Sequence, residues 1–324
     1  MSKSTFRKKS ALSNPISFSK DSIPAMHPSF RRRSLLLAAI ATPLSGLHLP
    51  THAYNQKISR QTAQEELKKI EARSGGRLGV SAINMATDNR VEYRAEERFP
   101  FCSTFKVMVA AAILQRSTSD TALLQKRIRY KKEETEKSGY APITQKYLAD
   151  GMTVADLCAA TLQYSDNAAV NFLMKELGGP AAITAYARSI GDNVFRLDRW
   201  EPELNSAIPG DERDTTTPAS MENSLEKLTL GTALPQQQRE QLMSWLKGNT
   251  TGGKRMLAGV PRGWQVADKT GTGSYGTTND IGILLPPGGG ALVTAIYFTQ
   301  NEKDAKARED VIASATRIVV AALS

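Results

Sequence analysis

The chain has 324 residues, 40% of them hydrophobic, with 42 Lys+Arg against 32 Asp+Glu and two cysteines, a globular composition long enough for one large domain or two lobes sharing a core. Its three histidines, His27, His48 and His52, all precede residue 54; the chain beyond them can hold neither a Ser-His-Asp or Cys-His nucleophile nor a histidine-ligated metal, and two cysteines cannot build a zinc site. The net charge of +10 is uneven too: eight basic residues against one acidic fall in the first 53, leaving 34 against 31 in the rest, so no basic excess in the folded part argues for a nucleic-acid partner.

Residues 1–53 read as an export leader. Arg31-Arg32-Arg33 precedes the apolar run 35–41, and Thr51-His52-Ala53 supplies a small-residue end ahead of Tyr54; a basic flank, a short apolar run and a cleavage site are the three parts of a bacterial secretory signal. The run is too short to remain in a bilayer, so a periplasmic or secreted product without a stable membrane anchor is expected. Met26 would start a leader of normal length, and Arg32-Arg33-Ser34-Leu35-Leu36 also fits a twin-arginine signal. Export permits disulfides, and Cys102 and Cys158 could form one; their positions alone do not decide it.

The stretch 60–73 favours a helix, with Leu67 and Ile70 on one face and Gly75-Gly76 as its stop. Two strand-like runs, 77–85 and 91–95, flank the polar turn 87–90 and predict a hairpin. From Ser103 to about Leu246 the pattern is helical, over 104–115, 153–160, 167–177, 180–190, 218–230 and 235–247, several segments starting at Pro or a small polar residue as helix N-termini do. Strands return at 264–270, 279–285 and 291–299. A last helix is expected over 302–323, where Val311, Ile312, Ala315, Ile318, Val319 and Ala322 keep helical spacing. This order predicts an α/β chain of layered α+β type: an antiparallel sheet built from both termini and flanked by helices, formed by 54–100 and 248–324, with an all-helical lobe, 101–247, inserted. A site is expected in the cleft between lobes.

Three short motifs carry the chemistry. In Ser103-Thr-Phe-Lys106, residues three apart share a helical face, so the amine can lie beside a hydroxyl placed where helix N–H groups favour developing negative charge. A buried amine of lowered pKa can take over the proton transfer that histidine performs elsewhere. In Ser165-Asp166-Asn167 the serine hydroxyl can relay a proton, while the Asn167 amide offers a donor and an acceptor to a substrate amide. Lys269-Thr-Gly-Thr-Gly273 ends a strand whose edge can pair with an amide, and Lys269, Thr270 and Thr272, around Gly271, can hold a carboxylate. Each has a bland counterpart: a helix start with a solvated lysine, an N-cap, and a Gly-rich turn.

Together and in this order, the three motifs resemble those of class A serine β-lactamases and penicillin-binding proteins. The segment 196–214 sharpens the resemblance, because Arg196-Leu-Asp-Arg-Trp-Glu-Pro-Glu-Leu-Asn205 is similar to the Ω-loop of the class A enzymes. The resemblance implies a serine β-lactamase/D,D-peptidase fold and an antibiotic-resistance hydrolase acting on penicillins and cephalosporins through an acyl-serine. Ser103 would be the nucleophile, Lys106 or Glu201 the base of acylation, Ser165 the proton donor to the ring nitrogen, and Lys269 a shaper of the local field. Glu201 with Asn205 would activate the deacylating water, as a general base does. Arg199 and Asp214 would close the loop's neck, and Glu201-Pro202 would be cis, which costs little at a proline.

Further implications are a cleft wall at Tyr140, an oxyanion hole from the backbone N–H groups of Ser103 and Thr272, and contacts from Asn167 and Gly271. Many relatives carry a carboxylate-binding arginine where this chain has Thr278; Arg255, in Gly252-Gly-Lys-Arg255, is the expected replacement. The family's common disulfide joins the Cys158 position to one that is Ala110 here, and the bridge of carbapenem-hydrolysing relatives joins the Cys102 position to one that is Gly273. Two free, buried thiols are therefore expected, with carbapenems outside the substrate range. The run 269–280 is similar to that of relatives active on oxyimino-cephalosporins. No cofactor or metal is implied, and a monomer is expected. A D,D-peptidase shares the three motifs but would not need the Ω-loop, and a β-lactam sensor would need a membrane span and a signalling domain, of which the sequence gives no sign.

Overall fold

The computed structural model describes residues 57–324, so the expected leader, 1–53, lies outside the described residues. Helix α1 (Arg60–Ser74) starts where Ser59 accepts from the Thr62 backbone N–H at 3.1 Å and ends at Gly75, whose φ of 67° is open to glycine at little cost. Strands β1 (Gly76–Asn84) and β2 (Arg90–Tyr93) form the expected hairpin, and β3 (Phe99–Pro100) leads into a tight turn, Cys102–Phe105. Helix α2 (Lys106–Arg116) continues that turn. There follow β4 (Arg127–Ile128), α3 (Lys132–Lys137), β5 (Met152–Thr153), α4 (Val154–Gln163), α5 (Asn167–Leu177) and α6 (Pro180–Ser189). Past a long loop come β6 (Thr215–Thr216), α7 (Pro218–Thr229), α8 (Gln236–Lys247) and α9 (Met256–Gly259). The chain closes with β7 (Gln265–Thr272), β8 (Thr278–Leu285), β9 (Leu292–Gln300) and α10 (Glu309–Leu323).

The main sheet has the order β2-β1-β9-β8-β7, every pair antiparallel, so the first strand lies beside the last, with Gly76 opposite Gln300. Alternation along each strand splits its side chains between two cores. Leu78, Val80, Ala82, Leu292, Ile296 and Phe298 pack with α1 and α10, the latter contributing Val311, Ile312, Ala315, Val319 and Leu323. On the other face Ala267, Ile281, Ile283, Val293, Ala295 and Tyr297 join Phe101, Phe105, Val109, Leu157, Leu173, Leu225 and Leu246 from the helices. Burying each such Val, Leu, Ile or Phe stabilises by about 1.5–3 kcal/mol. This is the layered α+β architecture expected, with the sheet drawn from both ends of the chain.

The last helix begins at Glu309, not at 302. Residues 301–308 are held by the neighbouring turn: Tyr275 N–H donates to Lys303 O at 2.8 Å, Gln300 Nε2 to Lys306 O at 2.8 Å, and Arg308 N–H to Thr278 Oγ1 at 2.9 Å. These contacts hold 301–308 along the turn and off a helical path. Cys102 and Cys158 are free and buried, as expected. Among the described residues no helix is long and apolar enough to cross a membrane, and no three His, Cys, Asp or Glu side chains gather as a metal site would require.

Candidate active site

The chain enters the site along β3 and reverses at Phe101 and Cys102, with Cys102 at a φ of 47°. Phe101 stacks on Phe195 at 5.0 Å and tilts against Phe105 at 5.7 Å, which wedges the turn from beneath. Thr104 Oγ1 donates to Phe101 O at 2.9 Å. Ser103 thus sits at the head of α2, nearly buried, with its Oγ donating to Glu201 Oε1 at 3.3 Å.

One helical turn on, Lys106 is fully buried and its Nζ makes four contacts: Asn167 Oδ1 at 2.6 Å, Ser165 O at 2.8 Å, Glu201 Oε1 at 3.1 Å and Ser165 Oγ at 3.3 Å. Ser103 and Lys106 therefore meet through one carboxylate oxygen. Burial pulls the Lys106 amine below its ordinary value, against the opposing charge of Glu201.

Ser165 takes a φ of 57°, and Asp166 rather than Ser165 caps α5, accepting from Ala169 N–H at 2.8 Å. The carboxylate of Asp166 also takes the N–H groups of Ile143 and Thr144 at 3.0 and 2.9 Å. Relieved of capping, Ser165 Oγ lies between two amines, Lys106 Nζ and Lys269 Nζ, the latter at 3.1 Å. Burial holds Lys269 well below its ordinary value, and the nearby positive charge of Lys106 adds to the effect. Asn167 Nδ2 donates to Ser138 O at 3.0 Å and its backbone N–H to Tyr140 O at 2.8 Å, which ties the segment carrying the exposed Tyr140 ring to α5.

The loop 196–214 brings Glu201 to the serine. Asn205 Nδ2 donates to Glu201 Oε2, and the Glu201-Pro202 bond is cis, as the resemblance implied. Arg199 pairs with the buried Asp214, whose Oδ1 also accepts from the N–H groups of Asp198 and Arg199 at 2.7 and 3.0 Å. Sequence reasoning missed Asn171. Its Oδ1 accepts from Glu201 N–H at 3.1 Å and its Nδ2 donates to Glu201 O at 2.9 Å, clasping the main chain of Glu201 on both sides. The available signal was its place one turn after Asn167 on the same helix face.

Strand β7 lies against the serine turn. A Cβ at Gly271 would fall 2.7 Å from Phe101 O and 3.3 Å from Ser103 N, so only glycine permits the approach. Arg255 is buried behind this strand: Nη1 donates to Gly271 O and Asn279 O, both at 2.8 Å, and Nη2 to Thr272 Oγ1 at 2.7 Å, while Glu309 Oε1 stands 3.7 Å from Nε. Lys269 Nζ donates to Thr270 O at 2.8 Å. Burial raises the carboxyls of Asp268 and Asp280 behind Lys269, that of Asp280 well above its ordinary value. The residues expected to act together are thus gathered, with Tyr140 at the rim and Arg255 bracing the strand. A hydroxyl, two amines and a carboxylate in contact can deliver a nucleophile and move protons on both sides of a scissile amide.

The sequence signature of the β-lactamase enzyme family matches residues 62–323. The chain is 53% identical to the β-lactamase OXY-1 of Klebsiella oxytoca over 295 residues, covering 90% of this chain and 98% of that protein. It is 51% identical to the β-lactamase Toho-1 of Escherichia coli over 288 residues, covering 89% and 97%. Among solved structures, the β-lactamase from Desulfarculus baarsii superposes with a TM-score of 0.80 at 51% identity, covering 81% of this chain and 97% of that one. The β-lactamase from Streptomyces albus G gives a TM-score of 0.80 at 44% identity, covering 81% and 100%.

Proposed function

The chain belongs to the β-lactamase enzyme family and is a class A serine β-lactamase, and we propose that it opens the β-lactam ring of penicillins and cephalosporins through an acyl-enzyme on Ser103. Ser103 Oγ attacks the ring carbonyl carbon while its proton passes to Glu201 or Lys106, both on the Glu201 Oε1 junction. The carbonyl oxygen turns to the backbone N–H groups of Ser103 and Thr272, a reading supported by the press of Gly271 on Ser103 N. When the ring C–N bond breaks, Ser165 protonates the nitrogen and draws on the amines of Lys106 and Lys269 beside it. Thr270, Thr272 and Ser165 receive the substrate carboxylate; Arg255, expected from the sequence to bind it directly, is buried with its guanidinium on Gly271 O, Asn279 O and Thr272 Oγ1, and so acts through Thr272. Asn167 and Gly271 meet the side-chain amide, and Tyr140 walls the entrance.

Glu201 then takes a proton from a water that attacks the acyl carbon, and Ser103 leaves with its proton restored. The observation that carries this reading is the Glu201 carboxylate itself, one oxygen on Ser103 and Lys106 and the other on Asn205. A D,D-peptidase has no use for such a group. The likeness of the run 269–280 to that of relatives active on oxyimino-cephalosporins extends the proposed range to those substrates. The lobes 54–100 with 248–324 and 101–247, residues 1–53 as a cleaved leader, a periplasmic or secreted location and a monomeric state complete the proposal; the basic flank, short apolar run and small-residue end of 31–53 support export.

Two measurements test it. With residues 54–324 in a large excess of chromogenic cephalosporin, ring opening continues far past one equivalent; a single-equivalent burst that stops would reassign the protein to a peptidase or sensor. In Glu201→Ala the acyl-enzyme accumulates and is visible by intact mass, whereas fast turnover in that variant would remove Glu201 from deacylation.

A further inference from the structure

A line of polar atoms runs from behind Lys269 to the Thr270 hydroxyl. Asn249 Nδ2 donates to Asp268 Oδ2 at 2.6 Å, and Asn249 Oδ1 accepts from the Thr251 backbone N–H at 3.0 Å. A backbone donor on one side and a carboxylate on the other fix which way the amide points. Thr251 Oγ1 then stands between two oxygens, Asn249 Oδ1 at 2.8 Å and Thr270 Oγ1 at 2.5 Å. The loop is pressed into this position: a Cβ at Gly252 would fall 2.1 Å from Asp268 Oδ2.

A hydroxyl has one proton to give. While Thr251 gives its proton to Asn249, Thr270 must donate to Thr251 and has only lone pairs left for a ligand, which repel a carboxylate. When Thr251 turns its proton to Thr270 instead, the Thr270 proton is released toward the substrate. Asn249 Oδ1 is not stranded by the change, since the Thr251 N–H still serves it. No proton is gained or lost; two hydroxyls rotate.

We propose that Thr251 is a positioning residue for substrate recognition, anchoring the Thr270 hydroxyl and turning it from acceptor to donor when the carboxylate of a β-lactam docks. The proposal rests on the reading that Thr270 receives that carboxylate. Donation from Thr251 also polarises the Thr270 hydroxyl, so the bond to the anion is stronger than Thr270 alone would make.

The test compares a chromogenic cephalosporin with its carboxylate methyl ester on wild type, Thr251→Val and Thr251→Ser, with the melting temperature of each. Valine keeps the branched shape and removes the proton. KM for the acid rises roughly three- to tenfold in Thr251→Val with kcat little changed, the pattern of lost uniform binding. KM for the ester stays as in wild type, and Thr251→Ser restores the acid. An unchanged or lower KM for the acid, or equal losses for acid and ester, overturns the role of Thr251. A wild-type enzyme that fails to distinguish acid from ester overturns the carboxylate reading itself. Should Thr251→Val not fold, Thr251→Ala removes the same hydroxyl from this half-buried position and is held to the same outcomes.

Discussion

Lys269 is fully buried beside Lys106, and its amine is held well below the ordinary lysine value of 10.5. The charged form is therefore lost as pH rises through that lowered value, and with it the attraction for an anionic substrate. We expect kcat/KM to fall on an alkaline limb that begins well below pH 10.5, chiefly through a rising KM. Lys269→Arg, whose guanidinium does not deprotonate in this range, should move the limb to higher pH; a limb that stays in place belongs to another group. Asn171→Ala makes a second test at this scale. It leaves the N–H and C=O of Glu201 without their clasp, so deacylation should slow at least about tenfold, since small displacements of a catalytic group are costly, and acylation should slow with it only where Glu201 is also the base of that step. Rapid-quench measurement of both steps checks this, and a deacylation rate unchanged from wild type would contradict it. The contiguous motifs around Ser103, Ser165 and Lys269 were legible because local spacing already places their atoms. Asn171, Asn249 and Thr251 were not, because their partners, Glu201, Asp268 and Thr270, lie 19 or 30 positions away and only the fold brings them together.

The loop 196–214 is an element with little regular structure, held at its neck by Arg199, Asp214 and the Arg196–Thr215 bridge. Removing one partner of a buried ion pair leaves the other charge uncompensated, at a cost of roughly 3–5 kcal/mol. Arg199 is partly exposed and keeps Asp211 at 3.6 Å, so Asp214→Ala should cost near the lower end, about 3 kcal/mol, by chemical denaturation. Limited proteolysis should then cut within 196–214 in folded protein. Cleavage no faster than in wild type would mean the neck pair does not hold the loop. The hairpin and the helices α1, α5 to α8 and α10 were readable from periodicity and from Gly or Pro punctuation. The two-residue strands β3 to β6 and the one-turn helix α9 were not, being too short to show a period. The start of α10 was misplaced because Glu302 and its neighbours have helical composition, yet contacts with the turn near Tyr275 and with Gln300 hold them off a helical path.

The molecule as a whole relies on packing and not on a cross-link. Cys102 and Cys158 are both buried, and burial raises both thiols, which disfavours the reactive thiolate. Folded protein should react with almost no thiol reagent, unfolded and unreduced protein with two equivalents, and a reducing agent should leave the melting temperature unchanged; fewer than two thiols would reveal a bridge. The pairing of β1 with β9 has a consequence for how the chain is made. Gly76 finds Gln300 and Asn84 finds Leu292, so the first strand, paired early with β2 alone, waits for its second neighbour until residues near 300 have been made. Until then Leu78, Val80 and Ala82 lack both the adjoining strand and the α10 face that covers them. Such distant contacts delay the committed step of folding. A first hairpin, β1 with β2, that still lacks the rest of its sheet while residues near 300 are being made leaves this core open through most of synthesis.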